Sequence, residues 1–205
     1  MKTFFYDVGA NHGHYSWLAL SLGKNTEVMA FEPDPKNLEL LRLTVAHSNL
    51  VKVQVKDTAL SNEAGVTRFC QDPLTSATGM IENGDTPWIE KYLGRKAISI
   101  KVRRSMLDSF CTPEAKPSLI KIDVEGHEIE VLKGGIECLQ DHKPVLIIES
   151  FPPKQAEVIH CLSQFGYEIR DAERNRQVSD QTNNLLAWHK EGPLPSSEIM
   201  KFLES

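Results

Sequence analysis

The stretch that decides the fold class is TFFYDVGANHG, residues 3–13, which joins an apolar run to a turn containing two glycines. The run is rich in β-favouring residues and predicts a short buried strand. Gly9 and Gly13 permit a tight turn and let backbone N–H groups approach a ligand. Because open α/β sheets bind ligands at the carboxyl ends of their strands, we expect residues 7–13 to border a ligand site.

Apolar periodicity continues the pattern outward from this stretch. It predicts, in order, a helix over 15–22, a strand over 27–32, a helix over 36–47 and a strand over 51–55. Strand, helix, strand, helix and strand within about fifty residues indicate a parallel α/β sheet. The predicted fold class is therefore α/β, with a sheet wound in both directions.

The rest of the chain supplies further strands and helices around one irregular segment. Patterning predicts strands over 65–70, 97–103, 118–123, 144–150, 167–171 and 184–189, and helices over 128–139, 153–164 and 196–204. Residues 71–96 are polar and contain several glycines and prolines, and a loop of that length in a compact domain is usually functional. We expect one domain over residues 1–205, built on a single sheet, with a variable substrate or lid segment at about 71–96.

The composition limits the classes of function. The chain has 205 residues, 40% of them hydrophobic, which is ordinary for a globular protein rather than a disordered one. Its formal charge of −5 argues against a protein that grips nucleic acid through phosphates. The four cysteines form no CxxC pair, and no apolar run is long enough for a signal-peptide core or a membrane span. We expect a soluble, cytoplasmic protein with free thiols and no nucleic-acid partner.

The acid after the second strand points to a nucleoside ligand. Glu32 follows Gly13 by about twenty residues, where a carboxylate can accept hydrogen bonds from both ribose hydroxyls. The glycines read G-x-x-x-G, with Asn11 where the dinucleotide pattern has its second glycine, and Asp7 would repel phosphates but suit a cation. These features favour S-adenosyl-L-methionine over NAD. The alternative is a tight turn that binds no ligand.

A second group of polar residues follows the strand predicted at 118–123. Asp123 and His127 should face the same crevice as the glycine turn, where a carboxylate and an imidazole can supply general-base chemistry. His127 could instead be a helix-start histidine bonded to backbone, and Glu125 and Glu128 could simply complement the helix dipole. Glu149 either extends the acidic lining or is a carboxylate paired with a lysine.

Four motifs together resemble one enzyme family. DVGANHG at 7–13, FEPDP at 31–35, SLIKIDVEGHEIEVLKGG at 118–135 and VLIIE at 145–149 resemble the FkbM family of S-adenosylmethionine-dependent methyltransferases. The resemblance spans roughly residues 3–150. It implies a mostly parallel, seven-stranded Rossmann-like sheet with an antiparallel last strand, and methyl transfer to a hydroxyl. Family members commonly methylate sugars, glycolipids and polyketide-type natural products, which implies a small-molecule or glycan acceptor.

The resemblance also implies the site residues. The cofactor-binding set is Asp7, Gly9, Asn11, Gly13, Glu32, Asp57, Ala59 and Asp123. In this set Asp7 would hold the methionine end, directly or through water, and Glu32 the ribose hydroxyls. Asp57 and Ala59 would meet the edge of the adenine. His127 falls on the histidine of the family motif, and we infer that it and Asp123 are catalytic.

Other functions stay open at this stage. A methyltransferase-like fold could serve as a non-catalytic binding module, and an NAD-dependent oxidoreductase is the rival enzyme. A base-methylating enzyme is disfavoured, because the position of its N-P-P-Y type motif reads DVEG here. We expect no metal, although Asp123, Glu149 and a histidine are suitable ligand types.

A basic cluster also has two interpretations, a solvated strand face or a contact with an anionic acceptor. It comprises Arg95, Lys96, Lys101, Arg103 and Arg104. The sequence leaves open whether the chain forms a homo-oligomer and what closes the cofactor pocket.

Overall fold

The computed structural model describes residues 3–23, 25–48, 50–75, 79–82, 84, 86–173, 177–194, 197 and 199. The strands are β1 (Thr3–Val8), β2 (Thr26–Glu32), β3 (Val53–Asp57), β4 (Ala59–Leu60), β5 (Gly65–Gln71), β6 (Gly79–Ile81), β7 (Ile98–Ser105), β8 (Pro117–Ile122), β9 (Val145–Glu149), β10 (Tyr167–Asp171) and β11 (Asn184–His189). The helices are α1 (His14–Leu22), α2 (Pro35–His47), α3 (Trp88–Leu93), α4 (Glu128–Lys133), α5 (Ile136–Asp141) and α6 (Gln155–Gln164), with a 3₁₀ turn at Leu107–Phe110.

Seven strands form the main sheet in the order β10-β11-β9-β8-β1-β2-β3. Strands β1, β2, β3, β8 and β9 are parallel, whereas β11 runs antiparallel to both of its neighbours. The order reverses between β1 and β8, and such a switch point is where open α/β sheets place their ligands. The prediction of a doubly wound, mostly parallel sheet with an antiparallel last strand is confirmed.

Both faces of the main sheet are buried, which explains why its strands read as nearly continuous apolar runs. Side chains alternate along β1, so that Phe4, Tyr6 and Val8 join one core cluster with residues of α4, α5 and α6. Phe5 joins a second cluster, to which Leu41 of α2 also belongs. The helices therefore cover the sheet from two sides and leave its carboxyl edge accessible.

A second sheet, of four strands, departs from the expectation of a single sheet. Its order is β4-β7-β5-β6, and β5 pairs antiparallel with both β6 and β7. The patterning at 65–70 and 97–103 indicates strands but not their partners. The chain leaves the main sheet just after β3, because Ala59 and Leu60 pair with Arg104 and Ser105 of β7 instead.

The helix predicted over 128–139 is two short helices, and that prediction was wrong about continuity. Gly134 ends α4 and Gly135 precedes α5. A Cβ on Gly134 would lie 2.0 Å from the carbonyl oxygen of Ser61, and one on Gly135 would lie 2.6 Å from Leu107 Cδ2. The diglycine thus lets the residues after β4 and the 3₁₀ turn pack directly against the helix backbone.

Two remaining expectations concern the chain end and the membrane. The terminal helix predicted over 196–204 lies outside the described residues apart from positions 197 and 199. Within the described ranges, none of the helices combines the length and apolarity needed to cross a lipid bilayer.

Candidate active site

A cavity of about 330 Å³ lies at the carboxyl edge of the main sheet, beside the switch point. Its inner wall comes from the glycine turn after β1, the end of β2, the residues after β3 and the segment after β8. Phe69, Gly79 and Ile81 of the second sheet complete the lining. The volume is within the range of small-molecule sites. Gly79 and Ile81 fall within the expected substrate or lid segment at about 71–96, but the sequence singled out none of these three residues, because nothing in it shows where the second sheet docks.

The glycine turn is built from left-handed backbone. The φ angles of Gly9, Asn11 and Gly13 are 77°, 51° and 82°. A Cβ on Gly9 would lie 1.9 Å from the carbonyl oxygen of Asp123, so this glycine brings the two motif-bearing segments into contact. Gly13 has a different task, since its Cβ would lie 2.5 Å from the ring of Trp17 and Gly13 does not line the cavity.

Glu32 joins the glycine turn to the turn that follows β2. Its Oε2 accepts a hydrogen bond of 2.7 Å from Asn11 N, and its Oε1 accepts one of the same length from Asp34 N. Only 4% of Glu32 is exposed, and burial raises the pKa of its carboxyl to about 7. A carboxylate has about four acceptor positions, so Glu32 keeps capacity for a ligand hydroxyl in the cavity that it lines.

Asp7 lies beneath the turn rather than on the cavity wall. Its Oδ2 accepts a hydrogen bond of 2.6 Å from Ser16 Oγ of α1, while its Oδ1 is buried without a hydrogen-bond partner among the described residues. Burial raises the pKa of this carboxyl. Asp7 thereby fastens α1 to β1, and a contact with the methionine end stays a prediction.

The two residues expected at the adenine edge are separated by the structure. Ala59 lines the cavity, together with Thr58 and Leu60. The carboxylate of Asp57 instead forms ion pairs with Arg103 at 2.9 Å and Arg42 at 3.4 Å, and it is not among the lining residues.

Asp123 and His127 both line the cavity, as does Glu125. Lys121 Nζ donates to Asp123 Oδ2 at 2.7 Å. Glu125 has a φ of 52°, and burial followed by the charges of Asp123 and Glu128 raises the pKa of its carboxyl to about 7. Glu149 does not line the cavity, but burial and the neighbouring Asp123 raise the pKa of its carboxyl to about 7 as well.

The hydrogen-bond partner found for His127 is a side chain. The alternative interpretation, a helix-start histidine, required a hydrogen bond to the backbone instead. Its Nε2 lies 3.0 Å from Ser61 Oγ, which is itself 3.3 Å from Asn62 Oδ1. Burial lowers the pKa of His127, which keeps the imidazole neutral at pH 7. Ser61 was not identified from the sequence, because no motif links it to a residue 66 positions away.

Three residues of the basic cluster form ion pairs. Arg103 pairs with Asp57, Arg104 with Glu63 at 2.5 Å, and Arg95 with Asp72 at 3.6 Å. The pairs of Arg103 and Arg104, which lie in β7, fit the interpretation of a strand face, whereas Arg95 follows α3 and pairs with a buried carboxylate. In the part of the chain that the structure describes, no three His, Cys, Asp or Glu side chains are grouped as a metal site requires.

The sequence profile of the methyltransferase FkbM domain matches residues 7–169. The chain belongs to the FkbM methyltransferase family. Methyltransferase sdnD of Sordaria araneosa is 25% identical over 91% of this chain and 81% of its own length. The hexuronic acid methyltransferase AglP of Haloferax volcanii is 27% identical over an alignment that covers 69% of this chain and 54% of AglP.

A solved structure supports the fold independently. The crystal structure of the methyltransferase FkbM from Methylobacillus flagellatus superimposes with a TM-score of 0.62, at 18% identity. The match covers 92% of this chain but only 44% of that one. The family assignment and the fold together imply that this FkbM methyltransferase uses S-adenosyl-L-methionine.

Proposed function

We propose that this protein transfers a methyl group from S-adenosyl-L-methionine to a hydroxyl of a sugar, glycolipid or polyketide-type natural product. The observation that carries the proposal is the single cavity wall shared by Glu32, Asp123 and His127 at the switch point of the sheet. Such an arrangement can bind a nucleoside at one end and perform proton transfer at the other. The residues that would hold the donor are the members of the expected cofactor set that line the cavity, namely Gly9, Asn11, Glu32, Ala59 and Asp123.

The chemistry of the cavity fits a cationic nucleoside. Glu32 and Asp34 supply acids near the end of β2, and Asp123 and Glu125 supply acids near the end of β8. Lys121 is the only lysine or arginine among the described lining residues, so these carboxylates outnumber the lysine and arginine groups. A sulfonium and an ammonium suit these carboxylates, whereas the pyrophosphate of NAD would be repelled by them. The acidic lining therefore favours the methyl donor over NAD.

His127 is the proposed general base. The donor, when bound, supplies an activated methyl group on its sulfonium. An acceptor hydroxyl would receive that methyl group, and His127 would take the hydroxyl proton. The positive charge lost by the sulfonium would thereby pass to the imidazole, so charge and atoms balance. His127 is suited to this role because its lowered pKa keeps it unprotonated at neutral pH.

The acceptor class is proposed from the relatives and from the segment at 71–96. AglP is named for hexuronic acid, and it is one of the relatives of this chain. We propose that the segment at about 71–96 provides the acceptor side of the site; among its described residues, Gly79 and Ile81 line the cavity. A single domain over residues 1–205 is part of the same proposal.

The test is methyl transfer from labelled S-adenosyl-L-methionine to a panel of uronic acid glycans, neutral sugars and hydroxylated polyketides. We expect a product whose label survives mild alkali, because methyl ethers are stable there and methyl esters of carboxyl groups are not. Donor binding without transfer to any acceptor would favour the non-catalytic binding module. An alkali-labile product would overturn methylation of a hydroxyl.

Substitution of the proposed base gives a second test. His127→Gln should lower kcat by roughly 10²–10⁴-fold while the affinity for S-adenosylhomocysteine stays the same. His47→Gln, at an exposed position in α2, is the matched control. Near-normal turnover by His127→Gln would show that the histidine is not the base.

A further inference from the structure

Lys121 is a buried cation on the cavity wall to which neither the family motif nor the proposed mechanism gives a task. It lies in β8 opposite Asp7 of β1, and only 6% of the residue is exposed. Burial of a lysine ammonium costs desolvation free energy, and this cost is usually offset by an ion-pair partner or a ligand. Resting on the proposed function, we propose that Lys121 binds the carboxylate of the methionine moiety of the methyl donor.

The position of the ammonium group is fixed from two sides. Lys121 Nζ donates to Asp123 Oδ2 at 2.7 Å and lies 4.4 Å from the centroid of the Tyr15 ring. Tyr15 follows the glycine turn in α1 and lines the same cavity, with 46% of its surface exposed. A lysine ammonium has three N–H donors, and a single hydrogen bond to Asp123 leaves donor capacity for a ligand. Contacts with Asp123 and Tyr15 therefore hold the Lys121 ammonium beside the glycine turn.

The pattern of charge suits a zwitterion better than a simple cation or anion. Lys121 is close enough to Asp7, Glu125 and Glu149 to favour the ionised form of each carboxyl. An amino acid group placed here can offer its carboxylate to Lys121 and its ammonium to Asp123 or Glu125. Charges of opposite sign then alternate, and each interaction is a charge-assisted hydrogen bond. A free anion would meet the same carboxylates without this compensation.

A purely structural task is the competing explanation for Lys121. One ammonium among several carboxylates reduces their mutual repulsion, and its loss would then weaken binding of every ligand through a general loosening of the site. A ligand-binding role predicts a more specific result. Loss of Lys121 would then weaken binding only of ligands that carry the carboxylate, so two ligands that differ in the amino acid group distinguish the two roles.

The experiment is calorimetric titration of wild type and Lys121→Met with S-adenosylhomocysteine and with 5′-methylthioadenosine, which has no amino acid group. We expect Lys121→Met to weaken binding of S-adenosylhomocysteine by roughly 10- to 100-fold and that of 5′-methylthioadenosine by less than about twofold. Lys133→Met is the matched control, since Lys133 lies on the surface of α4 and pairs with Glu130. Equal losses for both ligands would overturn the proposal.

A ligand-side measurement keeps the test independent of how the variant folds. Wild type should bind decarboxylated S-adenosylmethionine, which lacks only the carboxylate, roughly 10- to 100-fold more weakly than S-adenosylmethionine. Equal affinity for these two donors would overturn the proposal even if Lys121→Met cannot be purified. Failure of donor binding, on which the proposed function rests, looks different, because wild type would then bind none of the four adenosine ligands; failure of methyl transfer alone is detected by the acceptor panel and leaves these affinities unchanged.

Discussion

At the scale of single residues, two close contacts define the site. Gly9 lets the glycine turn meet the backbone at Asp123, and Glu32 ties that turn to the end of β2 through Asn11 and Asp34. The contact at Gly9 joins segments that lie far apart in the chain, and the hydrogen bond from Asn11 N to Glu32 spans 21 residues. The carboxyl edge of the sheet is therefore held together at the residues that the ligand would touch.

Gly9→Ala should destabilise the protein by roughly 3 kcal/mol or more, because the added Cβ collides with a carbonyl oxygen and the φ of 77° is itself unfavourable. Gly94→Ala separates the two causes, since Gly94 has a φ of 61° and, apart from its chain neighbours, no described residue lies within 4 Å of its Cβ position. Gly94→Ala should lower the free energy of unfolding by about 1–2 kcal/mol. Urea unfolding measures both, and equal losses would show that the close approach at Gly9 does not matter.

Glu32→Gln should weaken binding of S-adenosylhomocysteine by roughly tenfold or more, because an amide offers one acceptor oxygen where the carboxylate offers two. Glu39→Gln, at an exposed position of α2, is the matched control. Titration calorimetry gives both affinities. Unchanged affinity for Glu32→Gln would reject a ribose-binding role.

At this scale the sequence predicts the residues of contiguous motifs and misses those brought in by tertiary structure. Glu32, Asp123 and His127 were identified from their places at strand ends, and all three line one cavity. Ser61 was missed because its partner His127 is distant in the chain. Asp57 matches its motif position, yet two arginines hold its carboxylate in ion pairs.

At the scale of elements, the diglycine after α4 allows the residues that follow β4 and the 3₁₀ turn to approach the helix backbone closely. Periodicity over 128–139 predicts one helix, since the apolar positions of α4 and α5 continue in the same helical phase. Only the structure shows that Gly134 lies against Ser61. The main strands were predictable because buried parallel strands are apolar throughout, whereas strand partners in the second sheet depend on long-range pairing.

Gly134→Ala tests this close contact, because the contact decides whether the substitution stabilises or destabilises the protein. Gly134 has a φ of −82°, which alanine adopts freely, so backbone entropy alone would stabilise the protein by about 0.4–1 kcal/mol. The collision with Ser61 should instead destabilise it by roughly 1–3 kcal/mol. Thermal unfolding decides between the two signs. An increased Tm would contradict the close contact between the diglycine and the residues after β4.

At the scale of the whole molecule, the formal charge of −5 is partly concentrated as acids around one cavity. Burial raises the pKa of Glu32, Glu125 and Glu149 from 4.5 to about 7. Between these two values the folded protein binds more protons than the unfolded chain. The contribution of these three carboxyls to the free energy of unfolding is therefore fully present below about pH 4.5 and is lost as the pH rises to about 7.

Glu125→Gln should flatten this dependence, because glutamine does not titrate. We expect the free energy of unfolding in urea to fall more steeply between pH 5 and pH 7 for wild type than for the variant. His127 acts in the opposite sense, since its lowered pKa makes the folded protein bind fewer protons near pH 6. The difference between the two proteins isolates Glu125, and parallel curves would contradict its raised pKa.

The central claim is that the cavity at the switch point binds S-adenosyl-L-methionine rather than a dinucleotide. The most direct test is a calorimetric titration of the wild-type protein with S-adenosylhomocysteine and, separately, with NAD. The structure predicts one saturable site for S-adenosylhomocysteine and no binding of NAD, because the lining carboxylates favour a cationic nucleoside over a pyrophosphate. Saturable binding of NAD together with no binding of S-adenosylhomocysteine would contradict the claim.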